Sequence, residues 1–270
     1  CAQSYGGAAC WPRSLRLGGQ SSFVTELNDH QLAAEIAQST GDKLVDLLQN
    51  TPTSRRGWGG LEYEGDAMAH HHIVDRLRAA RPNDAVLSEE GIDDPSRLRA
   101  SRVWIVDPLD GSSDFGYSPH WAVHIAMVID GVPTAAAVAV PGWGTTWATD
   151  PKPAPITSDV GDRPRIVVSR SRSHHDGRLL QDALNAEVMA VGSAGVKAMA
   201  VVRGDVDAYV HGGGLYEWDS CAPVAVARAA GLVCCRTDGA KLEFNKPDPW
   251  SPGLVISRPE LVDDIVDVMT

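Results

Sequence analysis

Short apolar runs alternate with amphipathic stretches along most of this chain, the pattern of strands interleaved with helices. Leu32, Ile36, Ala37, Leu44 and Leu47/Leu48 recur at helical spacing and predict a helix from Asp29, as its cap, to about Gln49. A second helix is predicted from near Asp66 to just before Pro82, with Ile73, Val74 and Leu77 facing inward. Thr51 to Gly65, which carries Pro, Gly and Arg, reads as a loop or irregular hairpin. Ala85–Leu87 and Val103–Val106 read as strands, the second buried and stopped by Pro108. Trp121–Ile129 and Thr134–Val140 are strands joined through the turn signal Asp130-Gly131, and Trp143–Ala148 adds another. The Pro- and Asp-rich stretch from Asp150 to Arg163 is the expected boundary between two halves. Beyond it the pattern predicts strands at Arg165–Ser169, Val188–Val191, Ala208–His211, Val233–Arg236 and Gly253–Ser257. Helices are predicted at His175–Leu184, Val196–Arg203, Asp219–Ala230 and Pro259–Met269.

The chemistry sits where these elements end. Asp107 and Asp110 follow directly on an apolar strand and precede Gly111, Ser112 and Ser113. Buried like charges this close repel unless a cation lies between them. A hard divalent ion that also takes waters and substrate phosphate is the simplest partner; the other reading is a capping network with Ser112 and Ser113. Asp66, Glu89-Glu90 and Asp219 stand at similar borders. Taken singly, Asp66 and Asp219 also fit as helix caps, and Glu89-Glu90 as solvated loop charges. His70-His71-His72 invites a zinc site, but consecutive helical positions point in different directions. Lys197 reads as a helix-surface charge or as a group that senses substrate phosphate.

Composition narrows the partners. The formal net charge of −11 over 270 residues argues against a nucleic-acid polymer or an anionic membrane surface. It leaves room for a small phosphorylated substrate, because metals invert the local potential. No apolar run is long enough to span a membrane. The five cysteines (Cys1, Cys10, Cys221, Cys234 and Cys235) form neither a disulfide framework nor zinc spacing, which fits a reducing cytoplasm. The Gly/Ser-rich residues 1–24 have no hydrophobic targeting core and are expected to form a poorly ordered arm.

Taken in order, four motifs resemble the inositol monophosphatase superfamily of Mg²⁺-dependent, lithium-sensitive phosphatases. They are Asp66, Ser88-Glu89-Glu90, Asp107-Pro108-Leu109-Asp110-Gly111-Ser112 and Trp218-Asp219. The resemblance covers roughly residues 27–265. It implies an α+β fold, the layered αβαβα sandwich. The N-terminal half, 25–154, would carry most of the metal site, and 155–270 would complete the substrate pocket. Within the superfamily, Gly192–Ala200, Asp207–Tyr209, His211–Gly214 and Glu217–Pro223 are most similar to the bacterial CysQ-type 3'(2'),5'-bisphosphate nucleotidases.

By position, the resemblance implies two or three Mg²⁺ ions per site. Glu89, Asp107 and the Leu109 carbonyl would hold one, Asp107, Asp110 and Asp219 a second, and Glu90 with Asp66 a weaker third. Glu89 and the Ser112 hydroxyl would orient and deprotonate the attacking water. Ser112 stands where Thr is more usual, which removes the methyl that restricts the rotamer. The 51–64 loop is the least family-like part of the core, and in relatives it helps to bring in the third ion. Members of the superfamily are often dimers.

For the substrate, Gly111–Ser113 offers backbone N–H groups and hydroxyls where a helix is expected to start. Ser193 and Gly195 fit either a phosphate or ribose edge or a tight turn. Arg170 fits either a second phosphate or solvent. By the resemblance Asp219 would also border the pocket, and the loop at His211, with Tyr209, Tyr216 and Trp218 near, fits either an adenine ring or, for each aromatic, ordinary packing. The resemblance over Ser193 to Pro223 implies hydrolysis of the 3'-phosphate of 3'-phosphoadenosine 5'-phosphate, and by extension of its 5'-phosphosulfate relative. The rivals are an inositol 1-phosphate or fructose 1,6-bisphosphate phosphatase and a non-catalytic metal- or ligand-binding scaffold.

Overall fold

A computed structural model describes residues 27–52, 60–170 and 175–270. The expected N-terminal arm, Cys1, Cys10 and the middle of the 51–64 loop lie outside the described residues. The first helix, α1 (Asp29–Asn50), is capped by Asn28 rather than Asp29. The Gln31 N–H donates to Asn28 Oδ1 at 2.9 Å and the Asn28 N–H donates to Gln31 Oε1 at 3.1 Å, a reciprocal pair that satisfies two otherwise open donors. The second helix, α2 (Leu61–Ala80), starts before Asp66. Asp66 is therefore an interior, buried helix residue and not a cap.

Five strands follow: β1 (Ala85–Ser88), β2 (Arg102–Asp110), β3 (Ala122–Ile129), β4 (Val132–Val140) and β5 (Thr145–Ala148). They form one sheet in that order, with β1 and β2 parallel and the others antiparallel. Both faces of this sheet are covered, which is why β2 reads as unbroken hydrophobicity. Trp104 and Val106 pack toward α1 and α2, whereas Val103 and Ile105 pack toward the opposite side. The strand does not stop at Val106. It runs through Asp110, with a register shift against β3 between Asp107 and Asp110 that accommodates Pro108, because a bulged position gives up its ladder N–H.

The rest of the chain comprises β6 (Arg165–Ser169), α3 (Asp176–Leu184), β7 (Glu187–Val191), α4 (Ala194–Arg203), β8 (Ala208–His211), β9 (Leu215–Tyr216), α5 (Glu217–Ala229), β10 (Val233–Cys235), β11 (Trp250–Ser251), β12 (Leu254–Ser257) and α6 (Val262–Met269). A second five-stranded sheet has the order β10-β12-β8-β6-β7, and β9 with β11 forms a small ribbon that the sequence pattern does not predict. Helices α4 and α5 lie between the two sheets, and α3 with α6 cover the outer face of the second. The result is the expected αβαβα order of layers. Being sandwiched, α4 is apolar almost all round, and Lys197 within it is buried, contrary to the surface position expected. No helix among the described residues is long and apolar enough to cross a membrane.

Candidate active site

The carboxylates converge at one end of the first sheet. Asp107 and Asp110 flank the bulge in β2, Glu89 and Glu90 follow β1, and Asp219 lies in the first turn of α5. Oxygens of Asp107, Asp110 and Asp219 lie within 4.8 Å of one another. Asp107 is 1% exposed; its Oδ1 accepts the Leu109 N–H at 3.1 Å, and its Oδ2 is buried with no hydrogen-bond partner. An orphaned, buried carboxylate oxygen among like charges fits the donor set of a hard divalent cation.

Electrostatics separate these acids into two kinds. Burial, reinforced by Glu89, Asp110 and Asp219, pushes the Asp107 carboxyl well above the usual carboxylate range. Burial and Asp110 push Asp219 up to about 6, and burial with Glu90 and Glu89 pushes Asp66 up to about 7. Glu89 is pushed up to about 7 by loss of solvation and then by Asp219. Asp110 behaves oppositely. Burial would raise it, but His124, Lys197 and Ser193 together hold it below the usual range.

The hydrogen bonds show how Asp110 is held. The Ala194 N–H donates to its Oδ1 at 3.0 Å and the Gly195 N–H to its Oδ2 at 2.7 Å, while the Ser193 hydroxyl donates to the same Oδ2. The N-terminus of α4 therefore binds this chain's own carboxylate, the anion that such a terminus attracts. Ser193, expected at a phosphate or ribose edge, caps α4 by accepting from the Val196 N–H at 3.1 Å, and in this geometry its hydroxyl and the Gly195 N–H serve Asp110.

The loop after β2 is a single 3-10 turn, Ser112–Asp114, in place of the helix expected there. Gly111 enters it at φ +83°, and a Cβ on it would come within 2.9 Å of the His120 carbonyl oxygen and of Ser193 Cβ. Ser112 is half-buried, and Ser113 is exposed. Arg170, half-exposed at the end of β6, pairs with the buried carboxylate of Asp114, a partner the sequence reading did not include. His211 is buried, with Nδ1 2.8 Å from the Gly213 carbonyl oxygen. Tyr209 is fully buried, which removes it from the expected base-binding wall. Tyr216 is 47% exposed and stacks on Trp218 at 4.7 Å with an interplanar angle of 7°. The three adjacent histidines diverge as expected: His70 meets Ser88, His71 the Ala67 carbonyl and His72 Ser39. Lys197 Nζ donates to the Ser193 carbonyl at 2.5 Å, and burial pulls its pKa down to about 8.

The sequence reading missed His124. It lies in β3 directly across from Asp107, fully buried, with Nε2 3.3 Å from Asp110 Oδ2 and Nδ1 3.1 Å from the Trp218 carbonyl oxygen. Burial alone would disfavour its charged form, but Asp110 outweighs that, and the imidazole is held above its ordinary range. The available signal was a lone histidine inside an apolar strand next to the carboxylate strand.

A layered sandwich with acidic side chains gathered from the ends of β1 and β2 and from α5 presents a candidate divalent-metal site of the phosphomonoesterase kind, and the profile of the inositol monophosphatase family matches residues 31–264. The chain belongs to that family. It is 42% identical to the 3'-phosphoadenosine 5'-phosphate phosphatase of Mycobacterium leprae, an alignment covering 92% of this chain and 95% of that protein. It is 29% identical to the 3'(2'),5'-bisphosphate nucleotidase CysQ of Escherichia coli K12, over 83% of this chain and 97% of that protein. The crystal structure of CysQ from Bacteroides thetaiotaomicron shares the fold with a TM-score of 0.71 and 24% identity, over 88% of this chain and 99% of that one.

Proposed function

We propose that this chain is a Mg²⁺-dependent phosphomonoesterase that removes the 3'-phosphate of 3'-phosphoadenosine 5'-phosphate, and of its 5'-phosphosulfate relative. The cluster of buried Asp107 and Asp110 with half-buried Asp219, and its partnerless Asp107 oxygen, carries the reaction class. The similarity to the mycobacterial phosphatase supports the nucleotide substrate.

Glu89, Asp107 and the Leu109 carbonyl would hold one ion; Asp107, Asp110 and Asp219 would hold another; Glu90 and Asp66 would serve a third. Bound there, divalent ions supply Lewis-acid stabilisation of the phosphoryl group and acidify water. Glu89 and the Ser112 hydroxyl would orient the attacking water and take its proton. The N–H groups and hydroxyls of Gly111–Ser113 bind the scissile phosphate. Asp114 holds Arg170 at the edge of the site for the second phosphate, and the exposed Tyr216 ring offers a face for the base.

Phosphate release with Mg²⁺ tests the reading, comparing kcat/KM for 3'-phosphoadenosine 5'-phosphate, inositol 1-phosphate and fructose 1,6-bisphosphate. A clear preference for the nucleotide is expected. Preference for either rival overturns the substrate, and no turnover of any of them overturns the activity. Arg170→Ala is expected to raise KM for the nucleotide about tenfold, in line with loss of one charge-assisted phosphate contact, with a smaller effect on inositol 1-phosphate. Equal effects on both substrates remove Arg170 from the specificity argument.

A further inference from the structure

His124 lies between the two β2 carboxylates and the backbone that leads into Asp219. In the β2–β3 register it stands across from Asp107, and its Nδ1 lies 3.9 Å from Asp107 Oδ2. The same Nδ1 faces the Trp218 carbonyl oxygen at 3.1 Å, at the peptide that leads into Asp219. On the other side of the ring, Nε2 lies 3.3 Å from Asp110 Oδ2. One rigid, fully buried imidazole thus spans from the β2 carboxylates to the start of α5.

The surroundings are built to hold it. A Cβ on Gly195 would lie 2.2 Å from His124 Nε2 and 2.9 Å from Ala122 Cβ, so only glycine lets the first turn of α4 close over the ring. That same turn supplies the Ala194 and Gly195 N–H groups that grip Asp110. Ring, glycine and carboxylate are therefore interlocked. Neither ring nitrogen faces the open cleft, and no step of the proposed hydrolysis uses the side chain.

We infer that His124 is a positioning residue that sets the spacing of Asp107, Asp110 and Asp219 and thereby the affinity of the site for divalent metal. Without the ring, Asp110 would still be held by α4 and Asp219 by its own helix, but the direct bridge from the β2 carboxylates to the peptide before Asp219 would be lost. Groups in this relation to metal ligands change affinity by about 10–100-fold when removed. The inference rests on reading the carboxylates as a metal site, but not on the identity of the substrate.

The test is Mn²⁺ titration of the metal-stripped full chain, followed by the electron paramagnetic resonance signal of free Mn²⁺. His124→Phe keeps a ring of similar shape without its nitrogens and is expected to weaken Mn²⁺ binding about tenfold or more. The Mg²⁺ concentration for half-maximal activity should rise by the same factor, while KM at saturating metal stays close to wild type. His124→Asn keeps a polar group within reach of the Trp218 carbonyl and should recover part of the loss. Wild-type Mn²⁺ affinity in His124→Phe overturns the inference; where that variant does not fold, wild-type affinity in His124→Asn does. Absence of Mn²⁺ binding in the wild type overturns the metal reading itself, a result distinct from equal binding in wild type and variant.

Discussion

Asp107→Asn is expected to lower kcat/KM by at least about 10³-fold, or about 4 kcal/mol of transition-state stabilisation, without destabilising the metal-stripped protein. The carboxylate is 1% exposed and accepts only the Leu109 N–H, with a second oxygen that has no hydrogen-bond partner. Its neighbours Glu89, Asp110 and Asp219 all resist its ionisation. A site this unfavourable to its own charge gains nothing from the carboxylate in folding; the gain comes when a cation arrives. Asparagine has nearly the same shape, retains an oxygen for Leu109, and turns an amide toward an acidic neighbour. Thermal melts separate the two effects. With a chelator present, the variant should melt at or above the wild-type temperature. On adding Mg²⁺ the wild type should gain stability, because ligand binds only the folded state, and the variant should gain little. Full activity in the variant rules out Asp107 as a metal-bridging residue.

Glu89, Asp107, Asp110 and Asp219 were legible because each stands where an apolar element meets a turn, a border visible in one dimension. The two-faced burial of β2 was also legible, since Val103–Val106 has no polar position at all. What failed followed from local rules overridden by tertiary context. Pro108 looked like a strand terminator, and only the pairing with β3 shows the bulge that tolerates it. Asp66 looked like a cap because the polar residues before it resemble a loop, yet α2 begins at Leu61 and buries it. Lys197 looked exposed because lysine usually is; the flanking Val196, Ala198, Met199, Val201 and Val202 leave no polar face for a surface helix.

His124 and the anchoring of Asp110 belong to a different class. The sequence separations from Asp110 to Ser193 and from His124 to Trp218 are long, and nothing in either local pattern announces the partner. The Gly192-Ser193-Ala194-Gly195 turn was legible as a strand-to-helix connection with donors for an anion. Which anion it binds is decided by how the two sheets sandwich α4. In this fold the anion is Asp110, a side chain of the acidic cluster, so the turn is occupied by the protein's own carboxylate.

Asp110→Asn tests that distinction, because it should abolish activity as Asp107→Asn does while moving stability the opposite way. Asp110 Oδ1 accepts the Ala194 N–H at 3.0 Å, and Oδ2 accepts the Gly195 N–H at 2.7 Å together with the Ser193 hydroxyl. Whichever way an asparagine amide is turned, its NH₂ group meets a backbone donor, so at least one buried N–H loses its partner and the helix terminus loses its charge. The expected cost is about 2–4 kcal/mol, read as a fall in the melting temperature of the metal-stripped protein of about 5–10 °C. The two substitutions differ by the same pair of atoms in neighbouring buried positions, so a difference in their melting behaviour cannot come from volume or polarity alone. It reports that Asp110 is satisfied by the protein and Asp107 is not. If Asp110→Asn melts with the wild type, the α4 terminus does not depend on that carboxylate, and the link it makes between β2 and α4 is not what holds the site together.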